Sequence, residues 1–312
     1  MKLFLPGGAG LVGLNLIAVL QQEHPDWQLV VVDKKAEALE AGRKLFPKVN
    51  FICEDLTTTA GHSWPDLLND CDACVMLQAE IGNTDPTAFE RNNITTTQII
   101  LRELKRNHVK HLVHISSSVV NSVAKDLYTT TKRRQEEIVA ETWPEVVILR
   151  PTLMFGWFDR KHMGWLARFM KRLPLFPIPG SGHFIRQPLY VGDFCRVIQS
   201  CLEKPALSGT YNITGTERVS YFSLMRQLRA AVGARPLIIH LPIPLFGWLL
   251  QLWALVSRQP AFTKDQLKAL TAGDQFELID WPTIFSVPAT PLATALRISY
   301  GDPRFSEVVI PF

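Results

Sequence analysis

The sequence is poor in the features that mark several broad protein classes. It has five cysteines in 312 residues, an odd number without regular spacing, which argues against a disulfide framework and for a reducing compartment. It has no large excess of one charge. The formal net charge of +4 is too small to make nucleic acid the main partner. It also lacks an apolar run long enough to cross a bilayer. The most apolar stretch, Leu237 to Val256, is broken by Pro242 and Pro244, and the uninterrupted part from Leu245 falls well short of the ~20 residues a spanning helix needs. Met1 to Leu5 is too short for the apolar region of a signal peptide and runs straight into glycine, so a cytoplasmic location is expected. Asn93-Ile94-Thr95 and Asn212-Ile213-Thr214 fit the glycosylation pattern, which carries no meaning without secretion. Repeats and low-complexity tracts are missing as well.

Cys71 and Cys74 form a C-x-x-C, the spacing of a redox pair or half a zinc site. Cys74 begins an apolar run to Leu77 that reads as a buried strand, and no second ligand pair follows. A structural role is therefore expected, and no metal.

What the sequence does have is alternation. Leu3–Leu5, Gln28–Asp33, Val49–Cys53, Cys74–Leu77, His111–Ser116 and Val146–Leu149 read as strands. Helical patterns separate them at Leu11–Gln21, Lys35–Lys44, Pro86–Arg106 and Tyr128–Glu141. Strands alternating with helices imply βαβ crossovers and an α/β fold with a doubly wound parallel sheet of Rossmann type. The expected organisation is a dinucleotide-binding domain over residues 1–150. Residues 151–312 form a smaller region facing the substrate, with segments near 188–214 returning to the sheet.

Gly7, Gly10 and Gly13 form G-x-x-G-x-x-G between the first strand and first helix, with Leu11 and Val12 opening that helix. Glycine permits the tight turn and lets backbone N–H groups approach a pyrophosphate, whose charge the helix N-terminus favours. Asp33, twenty residues past Gly13 at the end of the second strand, suits the ribose hydroxyls of NAD and opposes a 2′-phosphate. Lys34 and Lys35 beside it keep NADP open. Asp55-Leu56 after the third strand can face the adenine, or Asp55 can serve as an ordinary cap.

Together these residues resemble the extended short-chain dehydrogenase/reductase family, which includes nucleotide-sugar epimerases and dehydratases. The resemblance runs over most of the chain. It rests on the glycine loop, Asp33, Asp55-Leu56, the stretch Asp72 to Ala79, and Asn93. It continues through Ile115-Ser116-Ser117-Ser118, Tyr128-x-x-x-Lys132, Leu149-Arg150-Pro151-Thr152 and Pro188-Leu189-Tyr190-Val191-Gly192-Asp193. The tail, with Phe262-Thr263-x-Asp265-Gln266 and Pro288-x-Thr290-Pro291-Leu292, resembles the branch near the nucleotide-binding accessory subunit of respiratory complex I. The resemblance implies a catalytic serine at Ser117 (Ser118 as the fallback, otherwise touching substrate), with Tyr128 and Lys132. It implies cofactor contacts from Gln78, Ala79, Asn93, Pro151 and Thr152, and a Lys132 that binds the nicotinamide ribose. Tyr128 and Lys132, four apart, share a helical face, and a lysine charge there would favour the phenolate.

Three positions depart from the family's pattern. Val120-Asn121-Ser122 stands where the family has V-Y-G, eleven positions separate Ser117 from Tyr128, and Gln78 replaces an alanine.

Beyond Arg150 the texture changes. Trp157 to Arg186 carries six Lys and Arg against Asp159, interleaved with Trp157, Phe158, Trp165, Phe169, Leu173 and Phe176. Such a surface can grip the diphosphate of a nucleotide sugar, with Arg186 the best single candidate, can rest on anionic headgroups at the inner face of a membrane, or can be a solvated helix face. Leu245 to Val256 reads as a buried helix or as an interfacial one carrying Trp248 and Trp253. The expected partner is a small-molecule substrate. Three functions remain open: NAD-dependent epimerisation or oxidoreduction of a nucleotide sugar, the same chemistry on a sterol-, lipid- or quinone-like alcohol, and a redox-silent NAD-binding subunit. A homodimer through the Pro86–Arg106 and Tyr128–Glu141 helices is permitted by Ile99, Ile100, Leu101 and Leu104, which can equally serve the sheet.

Overall fold

The computed structural model describes residues 1–123, 125–160, 162–256, 267, 270–271, 276–302 and 304–310, with side chains omitted over 253–256. The tail motif Phe262 to Gln266, Lys161 and the Trp253 side chain lie outside the described residues.

The first half alternates as its periodicity requires. β1 (Lys2–Pro6) leads into α1 (Leu11–Glu23), β2 (Gln28–Asp33), α2 (Ala36–Leu45), β3 (Asn50–Cys53) and β4 (Ala73–Met76). A long helical segment follows as α3 (Pro86–Phe89), a π-helical stretch Glu90–Thr95, and α4 (Thr96–Arg106). Then come β5 (His111–Ile115), α5 (Leu127–Thr142) and β6 (Val147–Pro151). The second half holds β7 (Met154–Phe155), α6 (His162–Arg172), β8 (Leu175–Pro179), β9 (Ile185–Arg186), β10 (Leu189–Tyr190), α7 (Val191–Glu203) and β11 (Gly209–Ile213). After these are β12 (Val219–Ser220), α8 (Tyr221–Ala231), β13 (Leu237–Leu241), α9 (Ile243–Val256) and two later helices, Trp281–Phe285 and Leu292–Gly301.

Seven strands form one sheet in the order β11-β6-β5-β4-β1-β2-β3, each neighbouring pair parallel. Both faces of a parallel sheet must be covered, and side chains alternate accordingly. Leu3, Leu5, Val31, Val75 and Val113 enter a core shared with α1 and α7. Phe4, Val30, Cys74, Met76 and Leu112 enter one shared with Trp64, α4 and α5. Cys74 is thus a core residue, and Cys71 donates its thiol to the backbone carbonyls of Lys2 and Ala73. Burial pushes the Cys71 thiol up to about 11 and Cys74 well above its ordinary value, so neither is poised as a thiolate.

The expected single helix over Pro86–Arg106 is interrupted. In the π stretch the Thr96 N–H reaches five residues back to the Arg91 carbonyl, which swings Asn93 inward. Ile100, Leu101 and Leu104 are spent on the sheet, with Ile99 packed against the same cluster. They serve the sheet and are not an outward apolar seam.

β11 pairs with β6 and carries the chain back into the sheet. A third core, containing Phe155, Met170, Phe176, Met225, Leu228 and Leu296, joins α6, β8, α8 and the Leu292–Gly301 helix. Two sequence motifs meet beside it. Asp193 at the start of α7 accepts from Thr290 N (2.8 Å) and Thr290 Oγ1 (2.6 Å), clamping the tail motif to the sheet side. The apolar stretch Leu237–Val256 divides into β13, paired with β8, and α9. The buried-helix expectation for α9 is corrected: Phe246, Gly247 and Leu250 face the protein, whereas Ile243, Leu245, Trp248, Leu249 and Leu252 are exposed.

Candidate active site

In doubly wound sheets the ligand cleft opens beyond the carboxyl ends of the strands, where the strand order reverses. Here that point lies between β1 and β4, and the predicted residues gather around it. Gly7 turns with φ +75°, and a Cβ on it would lie 2.5 Å from the Gln78 Cα, so the chain leaving β4 presses directly on the loop. A Cβ on Gly13 would lie 2.2 Å from the Gly8 carbonyl oxygen. Gly10 differs. It is the N-cap of α1, no side chain caps the helix, and the nearest atom to its missing Cβ is 3.9 Å away. The loop therefore packs at Gly7 and Gly13 and leaves an open cradle at Gly10, with Leu11 and Val12 half-buried behind it. The Asp33 carboxylate crosses to this loop, accepting from Ala9 N (3.4 Å) and Lys35 N (3.2 Å). Lys34 reaches away to Asn92 Oδ1 (3.0 Å).

Three buried polar atoms without a partner among the described residues lie just past three strand ends: Gln78 Oε1 after β4, Ser116 Oγ after β5 and Thr152 Oγ1 after β6. Unmatched buried polar atoms are costly and uncommon. Their placement at the same end of the sheet as the open glycine cradle is what an extended polar ligand such as a dinucleotide would complete. Ala79 is exposed next to Gln78, and Pro151 is buried ahead of Thr152.

Ser117 and Tyr128 come together. Burial raises the Tyr128 pKa, the nearby Ser117 hydroxyl opposes this and the Asp126 charge adds to it. Ser117 Oγ also accepts from Val119 N, starting the short turn Ser118–Asn121, and Ser118 is half-buried beside it. Asp126 caps α5 by accepting from Thr129 N (3.0 Å), which fixes Tyr128 in the first turn. The departure Val120-Asn121-Ser122 is pinned in place. The Arg133 guanidinium donates to the carbonyls of Val120 and Ser122, and Asn121 bonds Asn212.

Lys132 is sealed in the interior, 1% exposed. Its ammonium donates to the Ile115 carbonyl (3.0 Å) and Gln135 Oε1 (2.5 Å). Burial pushes it down to about 7 against the opposing charge of Glu136. Its Nζ ties α5 to the end of β5. Asn93 is likewise a brace. Fully buried, it accepts from Glu80 N (2.7 Å) and donates to Thr131 Oγ1 (3.0 Å). Below Lys132, burial and the lysine charge hold His114 well below its ordinary pKa, so it is neutral.

Sequence reasoning missed the residues that fix this cluster. Gln135 lies three positions beyond Lys132 and also donates to Thr97 Oγ1 (2.7 Å). Thr97 in turn donates to the Asn93 carbonyl and accepts from Gln78. Spacings of three and four on α5 and α4 were the available signal. At the other end of the cleft, Asp55 accepts from Thr57 N (2.9 Å). Burial raises its pKa, but the Thr57 bonds and the charges of Lys34 and Arg91 outweigh this and lower it. The side chain of Leu56 packs with Trp64. Arg186 sits in the β9–β12 ribbon, where its charge is felt by buried Tyr221. Of the basic stretch, Arg168 turns inward to the carbonyls of Asp159 and Arg160, and Lys171 pairs with Glu307 (2.7 Å).

A parallel sheet with an open glycine cradle at its switch point and a carboxylate across from it defines a Rossmann-type dinucleotide-binding protein. Residues 3–214 match the NAD-dependent epimerase/dehydratase family, and the chain belongs to that family. It is 26% identical over 189 residues to the mitochondrial NADH dehydrogenase [ubiquinone] 1 alpha subcomplex subunit 9 of Rattus norvegicus, covering 60% of this chain and 49% of the relative. The chain thus spans about half the length of that relative. It is 25% identical to the dTDP-glucose 4,6-dehydratase of Streptomyces niveus, covering 78% of this chain and 81% of the relative. It is 26% identical to the decarboxylating sterol-4-alpha-carboxylate 3-dehydrogenase of Candida albicans, covering 85% and 87%. In fold it is similar to the UDP-glucuronic acid 4-epimerase of Bacillus cereus, crystallised with NAD, with a TM-score of 0.68, 21% identity and coverage of 96% and 98%.

Proposed function

We propose that this protein catalyses NAD-dependent hydride transfer at a hydroxyl or ketone carbon of a nucleotide sugar, with Tyr128 moving the proton. The observation that carries the reading is the half-buried Tyr128 set beside Ser117 at the carboxyl end of β5, close enough for the Ser117 hydroxyl to act on its pKa, at the same end of the sheet as the open cradle at Gly10. The chemistry bound NAD supplies is reversible hydride exchange at its nicotinamide. The residues suited to hold it are Gly7, Gly10 and Gly13 with the first N–H groups of α1 at the pyrophosphate, Asp33 at the ribose, and Gln78, Ser116 and Thr152 deeper in the cleft.

In this reading Ser117 holds the substrate oxygen and Tyr128 takes or returns its proton as the carbon is oxidised or reduced. Lys132 is a positioning residue that ties the Ile115 carbonyl, and with it the Ser117 strand end, to α5. The test is Tyr128→Phe assayed against UDP- and dTDP-hexoses. Turnover should fall about 10²–10⁴-fold, while NAD still raises the melting temperature as in the parent. Equal turnover would remove Tyr128 from the mechanism. A second substrate class, apolar alcohols, is favoured by one observation, the outward apolar face of α9. Including a 3β-hydroxysterol in the same assay separates the two classes.

A further inference from the structure

We infer that α9 and the adjoining ends of β8 and β13 dock this protein on the surface of an anionic lipid bilayer. The sequence of α9 is IPLFGWLLQLWALV, 14 residues with no charge and one polar side chain, Gln251. Gly247 and Leu250 are buried against the protein, yet Ile243, Leu245, Trp248, Leu249 and Leu252 form an outward apolar face, with Trp248 55% exposed. No helix among the described residues is long and apolar enough to cross a membrane. A helix of this length is roughly 21 Å long at 1.5 Å per residue, suited to lying in the plane of the headgroups with its tryptophan at their depth.

A second apolar edge continues this face. The Leu237 N–H donates to the Pro174 carbonyl (2.9 Å), so Arg172-Leu173-Pro174-Leu175 runs beside Arg235-Pro236-Leu237. The three leucines are exposed, Leu237 to 62%, and the two arginines flanking them are exposed as well. β13 leads directly into α9, which packs on β8, making both edges parts of one structural unit.

Charge selects the occupant. Neither Arg160 to Gly192 nor Arg218 to Val256 contains an Asp or Glu, and the two segments hold ten Lys and Arg between them. Lys171 is neutralised by Glu307, but Arg172, Arg226 and Arg235 remain on the surface. Apolar side chains bordered by cations, in two segments that themselves carry no carboxylate, match an acyl layer beneath anionic headgroups. A second copy of the same surface would set these cations against one another.

The test is flotation of the full chain with phosphatidylcholine vesicles, with and without phosphatidylglycerol. Binding should require phosphatidylglycerol, fall with added salt, and shift the tryptophan fluorescence to the blue. Trp248→Glu with Leu249→Glu should weaken binding at least about tenfold. Arg172→Glu with Arg235→Glu should weaken it about fivefold for each charge and flatten the salt dependence. The arginine variants carry the test should the α9 variant fail to fold. The inference is overturned by no partition into either vesicle, by binding indifferent to phosphatidylglycerol, or by unchanged binding of a folded α9 variant. A dimer that dissociates in the Trp248→Glu, Leu249→Glu variant, without vesicle binding, also overturns it and assigns the face to a second copy.

Discussion

A lysine sealed inside a folded protein reports its environment through pH. Lys132 donates to the Ile115 carbonyl and to Gln135, and burial brings it down to about 7, whereas an unfolded lysine titrates near 10.4. Between those values the unfolded chain binds more protons than the folded one, so this group makes stability rise with pH across that window and adds no slope below it. Lys132→Met removes the group. The parent's stability relative to the variant should therefore climb as pH rises from about 7 toward 10, by at most about 1.4 kcal/mol per unit. Tyr128 and the cysteines are common to both proteins and cancel. Urea titrations of the two across this range test it, and a constant difference would show that Lys132 keeps its proton. Gln135→Leu, which removes one acceptor, should move the lower edge of the window below 7. At this scale the sequence revealed the Tyr128 and Lys132 spacing but not its support. Tyr128-x-x-x-Lys132 is a local spacing, while the lysine's field depends on Gln135, Glu136 and a strand carbonyl that only folding brings near.

Helices and strands were legible wherever burial is repetitive. All six strands read in the first half are present, and β11 joins the sheet within the 188–214 segment. The exceptions lie where a contact across the fold outweighs periodicity. The Pro86–Arg106 pattern is helical throughout, yet Asn93 must reach both Glu80 N and Thr131, and the ladder widens to a π stretch to let it do so. α9 could be located from hydropathy, but hydropathy alone cannot say whether an apolar face meets protein or something outside it. The clamp between α7 and the tail is another long-range contact. Buried Asp193 accepts both donors of Thr290. Asp193→Ala leaves those half-buried donors without the carboxylate, which should cost about 1 kcal/mol and lower the urea midpoint with little change in slope. An unchanged midpoint would mean that water replaces the carboxylate and that the tail is held by Trp281 and its neighbours.

For the whole molecule, cofactor choice depends on how three separate parts of the chain converge on one end of the sheet. The glycine loop leaves its opening at Gly10, β2 delivers Asp33 across it, and the π stretch holds Lys34 away through Asn92. An adenosine 2′-phosphate placed at the end of β2 would therefore meet a carboxylate already fixed by the N–H groups of Ala9 and Lys35, without the nearer lysine turned to offset it. Like charges at such distances disfavour binding strongly. NAD⁺ at a hundred times its dissociation constant should stabilise the fold by about 2.7 kcal/mol. NADP⁺ at the same concentration should give at least about 1.4 kcal/mol less, equivalent to a tenfold weaker affinity. Asp33→Asn keeps the shape, removes the charge and should narrow that difference, whereas Lys34→Ala should leave it nearly unchanged because the Lys34 ammonium is engaged at Asn92. Melting curves of the three proteins with each cofactor test the set. A larger shift with NADP⁺ in the parent would show that Lys34 or Lys35 turns to the phosphate, and that the carboxylate does not decide the ligand.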